Sequence, residues 1–205
     1  MRKLILGTVV GAALIAAGAA AIARPDGHGA DPKPASTPKP AVQCGEGALP
    51  EIKDLAWMAG KWDVTVKWIS PEGKAFPAPT ESLIEPMLDG CFLKETITVP
   101  MWQSKNPMVG IRSYDQFRKT YRLVWFDSLI ALADIYEGSM ADGALMLTNL
   151  KSGTSYAPPR GPENFVRITQ KNGASHDEFG LTWEASSDKG QTWRKTCEYA
   201  YKRKP

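Results

Sequence analysis

The sequence is poor in the residues that most often announce chemistry. Its 205 residues include two histidines and three cysteines. None of them falls into a C-x-x-C or H-x-x-x-H spacing, so no zinc motif is present and no metal ligand set is expected. A serine–histidine–aspartate triad would have to use His28 or His176, and no G-x-S-x-G elbow presents a serine to them. Neither a phosphate loop nor a dinucleotide fingerprint occurs. Surplus charge is also scarce: 25 Lys and Arg stand against 22 Asp and Glu, a net charge of +3. That balance gives no reason to expect nucleic acid or an anionic membrane as a partner. The short basic run Lys202-Arg203-Lys204 reads as a solvated strand end.

What is present begins with a leader. Arg2 and Lys3 precede an apolar stretch, Leu4 to Ala20, and Ala21-Ile22-Ala23 is an A-x-A cleavage site followed by Arg24-Pro25. The pattern is that of a secretory signal peptide over residues 1–23. A retained membrane anchor is the rival, since the stretch from Leu4 to Ala23 is long enough to span; its Ala and Gly content makes it a weak span. With cleavage, no membrane span remains and the net charge falls from +3 to +1, because two basic residues and no acidic ones leave. No cysteine follows the apolar run, so a lipoprotein anchor is not expected. The mature chain is expected in the periplasm or outside the cell. There the cysteines should meet oxidising conditions, so that two pair and one is left over.

Residues 24–48 contain Pro25, Pro32, Pro34, Pro38 and Pro40 among small and polar residues. Such a segment cannot build a core and is expected to be a disordered linker. The folded domain is expected over residues 49–205, about 150 residues, enough to bury a core of its own. Leu49, Ile52, Leu55, Ala56 and Ala59 recur at helical spacing, which predicts one or two turns of helix over 50–59. From Trp62 onward the period is two. Ten strands are predicted, over 62–68, 80–88, 91–99, 108–115, 120–127, 132–140, 144–151, 163–171, 179–186 and 192–202. Turn residues such as Asp89-Gly90, Asp142-Gly143 and Asn172-Gly173 separate them. Strands joined by short turns, without helices between, argue an antiparallel meander, and closure into a barrel hides its edges. A two-sheet sandwich is the alternative; the only long connections available to it are around 70–79, 100–107 and 152–162.

Several short motifs now line up. Trp57-x-x-Gly60-x-Trp62 opens the domain and Gly90-Cys91-x-x-x-Glu95 starts the third strand. Tyr114-Asp115 precedes Tyr121-Arg122-x-x-Trp125-x-Asp127, and Gly138 precedes Asp142-Gly143. The end reads Ser186-x-Asp188-x-Gly190-x-Thr192-Trp193 and then Tyr201-x-Arg203. In this order they resemble secreted or periplasmic proteins of the DUF1579 type, which are calycin-like (lipocalin-like) barrels. The resemblance implies a ten-stranded barrel of the fatty-acid-binding or nitrobindin kind and no defined activity. Nitrobindin-like barrels hold haem through a histidine on the last strand. The segment 192–203 has none, and only Cys197 or Tyr199 could replace it, so haem is not expected. In an up-and-down barrel the leading helix and the turn between the second and third strands lie at one end, which brings Cys44 near Cys91. The resemblance also suggests that pairing. A Cys44–Cys91 disulfide is therefore expected, with Cys197 buried and free, and Cys44–Cys197 is the runner-up.

Glu95 is the carboxylate of greatest interest, because Leu93 and Ile97 on its face turn it inward. A buried carboxylate needs a partner, and Arg112, Arg122 or Arg167 could supply one. The pair would be either a core salt bridge or a ligand-orienting device. Arg112 and Tyr114 share a face, but Val109 and Ile111 claim the opposite face as the apolar one and would turn them outward. Trp125, Trp183 and Tyr199 are further candidates for the barrel interior, as core fillers or as ligand platforms. The segment 186–193 also fits the Asp-box pattern of sialidase propellers. It occurs once here, and a hairpin turn accounts for it.

Three functional readings follow. The first is a binding module for a small apolar or amphipathic molecule, with interior candidates Glu95, Arg112, Tyr114, Trp125, Arg167, Trp183 and Tyr199. The second is a structural or interaction protein whose barrel is filled. The third is an enzyme using Glu95 as acid or base. A cavity above roughly 300 Å³ would favour the first, and an unpaired Glu95 facing an open cavity would favour the third.

Overall fold

The computed structural model describes residues 49–101, 104–158 and 161–205. The signal segment 1–23, the linker 24–48 and Cys44 lie outside the described residues. The chain enters through a single helical turn, α1 (Pro50–Lys53), and a 3-10 turn (Ala56–Met58). Pro50 stands in the first turn, where its missing amide costs nothing. Ile52, Leu55 and Met58 are buried against one end of the sheet.

Ten strands follow: β1 (Gly60–Ile69), β2 (Ala75–Met87), β3 (Phe92–Met101), β4 (Ser104–Asp115), β5 (Thr120–Asp127), β6 (Leu132–Ala141), β7 (Ala144–Thr148), β8 (Phe165–Asn172), β9 (Glu178–Ser186) and β10 (Arg194–Arg203). Each pairs antiparallel with the next. β1 also pairs with β10, from Trp62 opposite Arg203 to Trp68 opposite Cys197, which closes the sheet into a barrel. The all-β, ten-stranded up-and-down barrel expected from the alternation is the fold observed, and no strand is left as an edge along the closed sheet. The alternation is clearest in β1, where Trp62, Val64 and Val66 are buried, and in β3, where Leu93, Glu95, Ile97 and Val99 are buried.

The strands depart from expectation in three places. β2 begins five residues early, at Ala75, and includes Pro77 and Pro79. Its pairing with β3 extends only from Met87 to Ser82, so residues 75–81 are laddered to β1 alone and the two prolines withhold no donor from a second neighbour. The segment around residue 100 is not a long connection: β3 and β4 run on until Met101 pairs with Ser104. β7 ends at Thr148, and the chain between it and β8 is the one long connection among the described residues.

This topology gives the barrel two different ends. The helix, the turns β2–β3, β4–β5, β6–β7 and β8–β9, and the end of β10 share one. The turns β1–β2, β5–β6 and β9–β10 and the long connection share the other. The helix end is fastened by Arg203. Its guanidinium donates to the carbonyls of Trp57, Ala59 (2.9 Å) and His176 (3.1 Å) and to the Asp177 carboxylate (3.1 Å), and it lies over the Trp62 ring at 4.3 Å. His176 stacks on Trp57 at 4.7 Å. Gly60 has φ +140°, and a Cβ there would lie 2.6 Å from Arg203 Nη1. The Trp57-x-x-Gly60-x-Trp62 motif and Arg203 are thus two halves of one clamp. At the opposite end, Asp188 accepts from Ser186 Oγ (2.7 Å), Thr192 Oγ1 (2.6 Å) and Thr192 N (2.9 Å), which makes the segment 186–193 a braced hairpin turn. These bonds, led by the Ser186 hydroxyl, hold the Asp188 carboxyl down to about 2.

Candidate ligand cavity

The middle of the lumen holds a charge pair. Glu95 Oε2 accepts from Arg112 Nη1 at 2.8 Å, and Glu95 Oε1 accepts from Ser82 Oγ and Tyr201 OH, each at 2.8 Å. All four residues are buried; Glu95 is 0% and Arg112 2% exposed. The sequence turned Arg112 outward because Val109 and Ile111 are the apolar members of β4. The observed inward face is instead Asn106, Met108, Gly110 and Arg112. Val109 and Ile111 lie half-buried on the outside, opposite Phe126 and Val124. Two features invert the pattern: Glu95 supplies the charge that lets Arg112 enter, and Gly110 leaves room for Trp125, whose ring carbons stand 2.9 Å from where a Gly110 Cβ would be.

Trp125, Trp183, Tyr136 and Tyr199 form an aromatic layer across the lumen. Ring centroids are 6.1 Å apart for Trp125–Trp183, 6.1 Å for Tyr136–Trp183 and 5.7 Å for Trp183–Tyr199. On the side away from the helix this layer is the floor of a cavity of about 440 Å³. Trp68, Val99, Met101, Met108, Leu132 and Val166 supply apolar wall, and Leu129 and Ile130 of the β5–β6 turn stand exposed at its mouth. A larger concavity, about 750 Å³, runs along the β1, β10, β9 and β8 wall past Thr65, Thr182, Glu198 and Ala200; the lumen cavity is the one floored by the Trp125–Trp183 layer.

The polar lining of the lumen cavity was not foreseen. Asp134 accepts from Tyr136 OH (2.6 Å), Asn149 Nδ2 (3.1 Å) and the Thr154 hydroxyl, while Asn149 Oδ1 accepts from Val166 N at 2.7 Å. Asp134 thereby ties the long β7–β8 connection, with Tyr156 and Asn164, into the cavity wall. Asp127 accepts from Asn106 Nδ2 (3.0 Å) and Leu129 N (2.8 Å) and so shapes the turn at the mouth. Period two could have found Asp134, which shares a face with Leu132 and Tyr136; nothing local marks Asn149 or Thr154. Burial, reinforced by Asp134, pushes the Tyr136 phenol well above its ordinary value, and burial does the same to Tyr199.

Of the residues proposed for the interior, Trp125, Trp183 and Tyr199 line the cavity. Glu95 and Arg112 lie beneath its floor and are committed to each other. Tyr114 is at the helix end, its ring 5.0 Å from that of Tyr121. Arg167 is on the outer face rather than the interior, because Val166 and Ile168 take the inward positions of β8. It pairs with Glu184 at 2.7 Å and lies over Trp193 at 4.5 Å. Cys197 lines the cavity as a free, buried thiol, pushed up to about 12 by burial. Cys91 is buried at the helix end.

A closed ten-stranded antiparallel barrel with a cavity at one end is a calycin-like barrel. Residues 49–203 match the family described as protein of unknown function (DUF1579), and the chain belongs to that family. A crystal structure of Rv2717c from M. tuberculosis is similar in fold: TM-score 0.55 at 15% identity, over 77% of this chain and 99% of that one. No curated protein matches the chain.

Proposed function

We propose that the barrel is an exported binding module that holds a small apolar or amphipathic molecule in the cavity above the aromatic floor. The observation that carries this reading is the cavity itself: about 440 Å³, enclosed mainly by aromatic and aliphatic side chains. That is within the range of small-molecule sites, about 300–1,000 Å³. Glu95 does not open onto this cavity, and its oxygens are occupied by Arg112, Ser82 and Tyr201. The chemistry of an unpaired acid is thereby lost, which supports binding over catalysis by that residue. Native mass spectrometry of the full chain purified from its own compartment tests the reading. An added mass that leaves on denaturation is expected; bare protein from every preparation would argue for an unliganded barrel.

Export is part of the same proposal, and N-terminal sequencing of the mature protein is expected to start at Arg24. A Cys44–Cys91 disulfide, the pairing that the barrel topology and the family resemblance suggest, belongs with it; Cys197 is free and buried. Mass spectrometry of a non-reduced digest should recover a peptide pair linking those two cysteines.

A further inference from the structure

The unpaired polar atoms in and beneath the cavity floor are all donors: Arg112 Nη2 below it and two indole N–H groups in it. The indole N–H groups of Trp125 and Trp183 are buried with no hydrogen-bond partner, and both residues line the cavity. Trp125 is 2% exposed. Its benzene edge is laid against the β4 backbone at Gly110, so its pyrrole edge, which carries Nε1, points away from that wall. Both residues border the cavity, so a ligand seated against them lies beside two indoles whose N–H groups have no partner. The acceptors nearby are already used: Asp134 by Tyr136, Asn149 and Thr154, Asp127 by Asn106 and Leu129. What the floor lacks is therefore an acceptor, which a bound molecule can bring.

Charge narrows the class further. The Arg112 guanidinium is held by Glu95 below the floor. The charged groups in the cavity wall are Asp127 and Asp134, with Arg194 at the exposed rim. An anionic head seated on the floor would lie in a low-dielectric space beside Asp127 and Asp134, with the Arg112 charge balanced by Glu95 and Arg194 out at the exposed rim. We infer that the ligand is an uncharged apolar molecule bearing a carbonyl-type acceptor, such as a ketone, quinone or ester, which sits head-down on the two indoles with its hydrocarbon toward Met101, Met108 and Leu129. This inference rests on the binding reading above and makes it specific.

Methyl decanoate, decanoate and decane share a chain and differ at the head, and they test the idea on the wild-type protein. At neutral pH the ester is expected to bind at least about tenfold more tightly than the carboxylate, because desolvating the anion is unopposed. In ¹H–¹⁵N spectra of the full chain it should move the Trp125 and Trp183 indole signals downfield. Trp125→Phe and Trp183→Phe, checked for an unchanged far-UV spectrum, should each reduce the preference for ester over decane while decane still binds. Decanoate binding as tightly as the ester, or an ester that binds without moving either indole signal, would overturn the inference and leave the binding module standing. If none of the three binds, this inference fails, and native mass spectrometry alone decides the binding module.

Discussion

Glu95 and Arg112 are a charge pair enclosed between the aromatic floor of the cavity and the hydrophobic packing of the helix end. Removing two such groups from water is expensive, and their attraction offsets that cost only because Ser82 and Tyr201 fill the remaining sites on the carboxylate. The pair is more sensitive to losing one partner than to losing both. Arg112→Leu, which strands the Glu95 carboxylate, is expected to lower unfolding stability by about 3–5 kcal/mol. Adding Glu95→Met should restore a large part of it. Urea unfolding of the two variants checks the order, and a double variant less stable than the single one would contradict it. Cys197 is governed by the same burial: a thiol pushed up to about 12 stays protonated at neutral pH.

The period-two pattern carried most of the architecture at the scale of single elements, because one face of nearly every strand is apolar and a one-residue slip would expose it. It failed on β4, where the inside holds an arginine and a glycine and the outside holds Val109 and Ile111. That inversion depends on Glu95 and Trp125, which are close in space and distant in sequence. The same limit applies to the cavity. Trp125, Trp183 and Tyr199 of its aromatic floor were legible as inward residues and Tyr136 was not singled out, whereas the Asp134–Asn149–Thr154 cluster joins a strand to a loop that has no period to read.

Two elements yield tests of their own. At the β9–β10 turn, the Asp188 carboxyl lies at about 2 against an ordinary 3.8. A depressed folded value stabilises the turn above about pH 4, and that contribution is lost as pH falls through about 2. A carbon-detected NMR titration should place the Asp188 midpoint near 2; a midpoint near 3.8 would mean the Ser186 and Thr192 bonds do not form. At the other end, Arg203→Ala removes the donors to Trp57, Ala59 and His176. It is expected to speed amide exchange across residues 50–60 at least about tenfold while protection in β4–β6 changes little, since local opening draws on local contacts. Uniformly faster exchange would instead make Arg203 a global determinant.

For the molecule as a whole, the cavity and the clamp divide the barrel into a sealed pole and an open pole. The helix, Arg203 and the Trp57–His176 stack close one, and the cavity opens at the other past Leu129 and Ile130. Deleting residues 194–205 removes the last strand and the clamp together. The product should be insoluble or should associate through the bared rims of β1 and β9, and size-exclusion chromatography would show it. A soluble truncated monomer would mean that closure is dispensable.

The pairing of β1 with β10 sets a condition on when the protein can exist. The first strand has no permanent neighbour on one flank until β10 has been made, so the native seam can be sewn only once residues 194–203 are available. The topology therefore makes closure of the barrel a late step of folding.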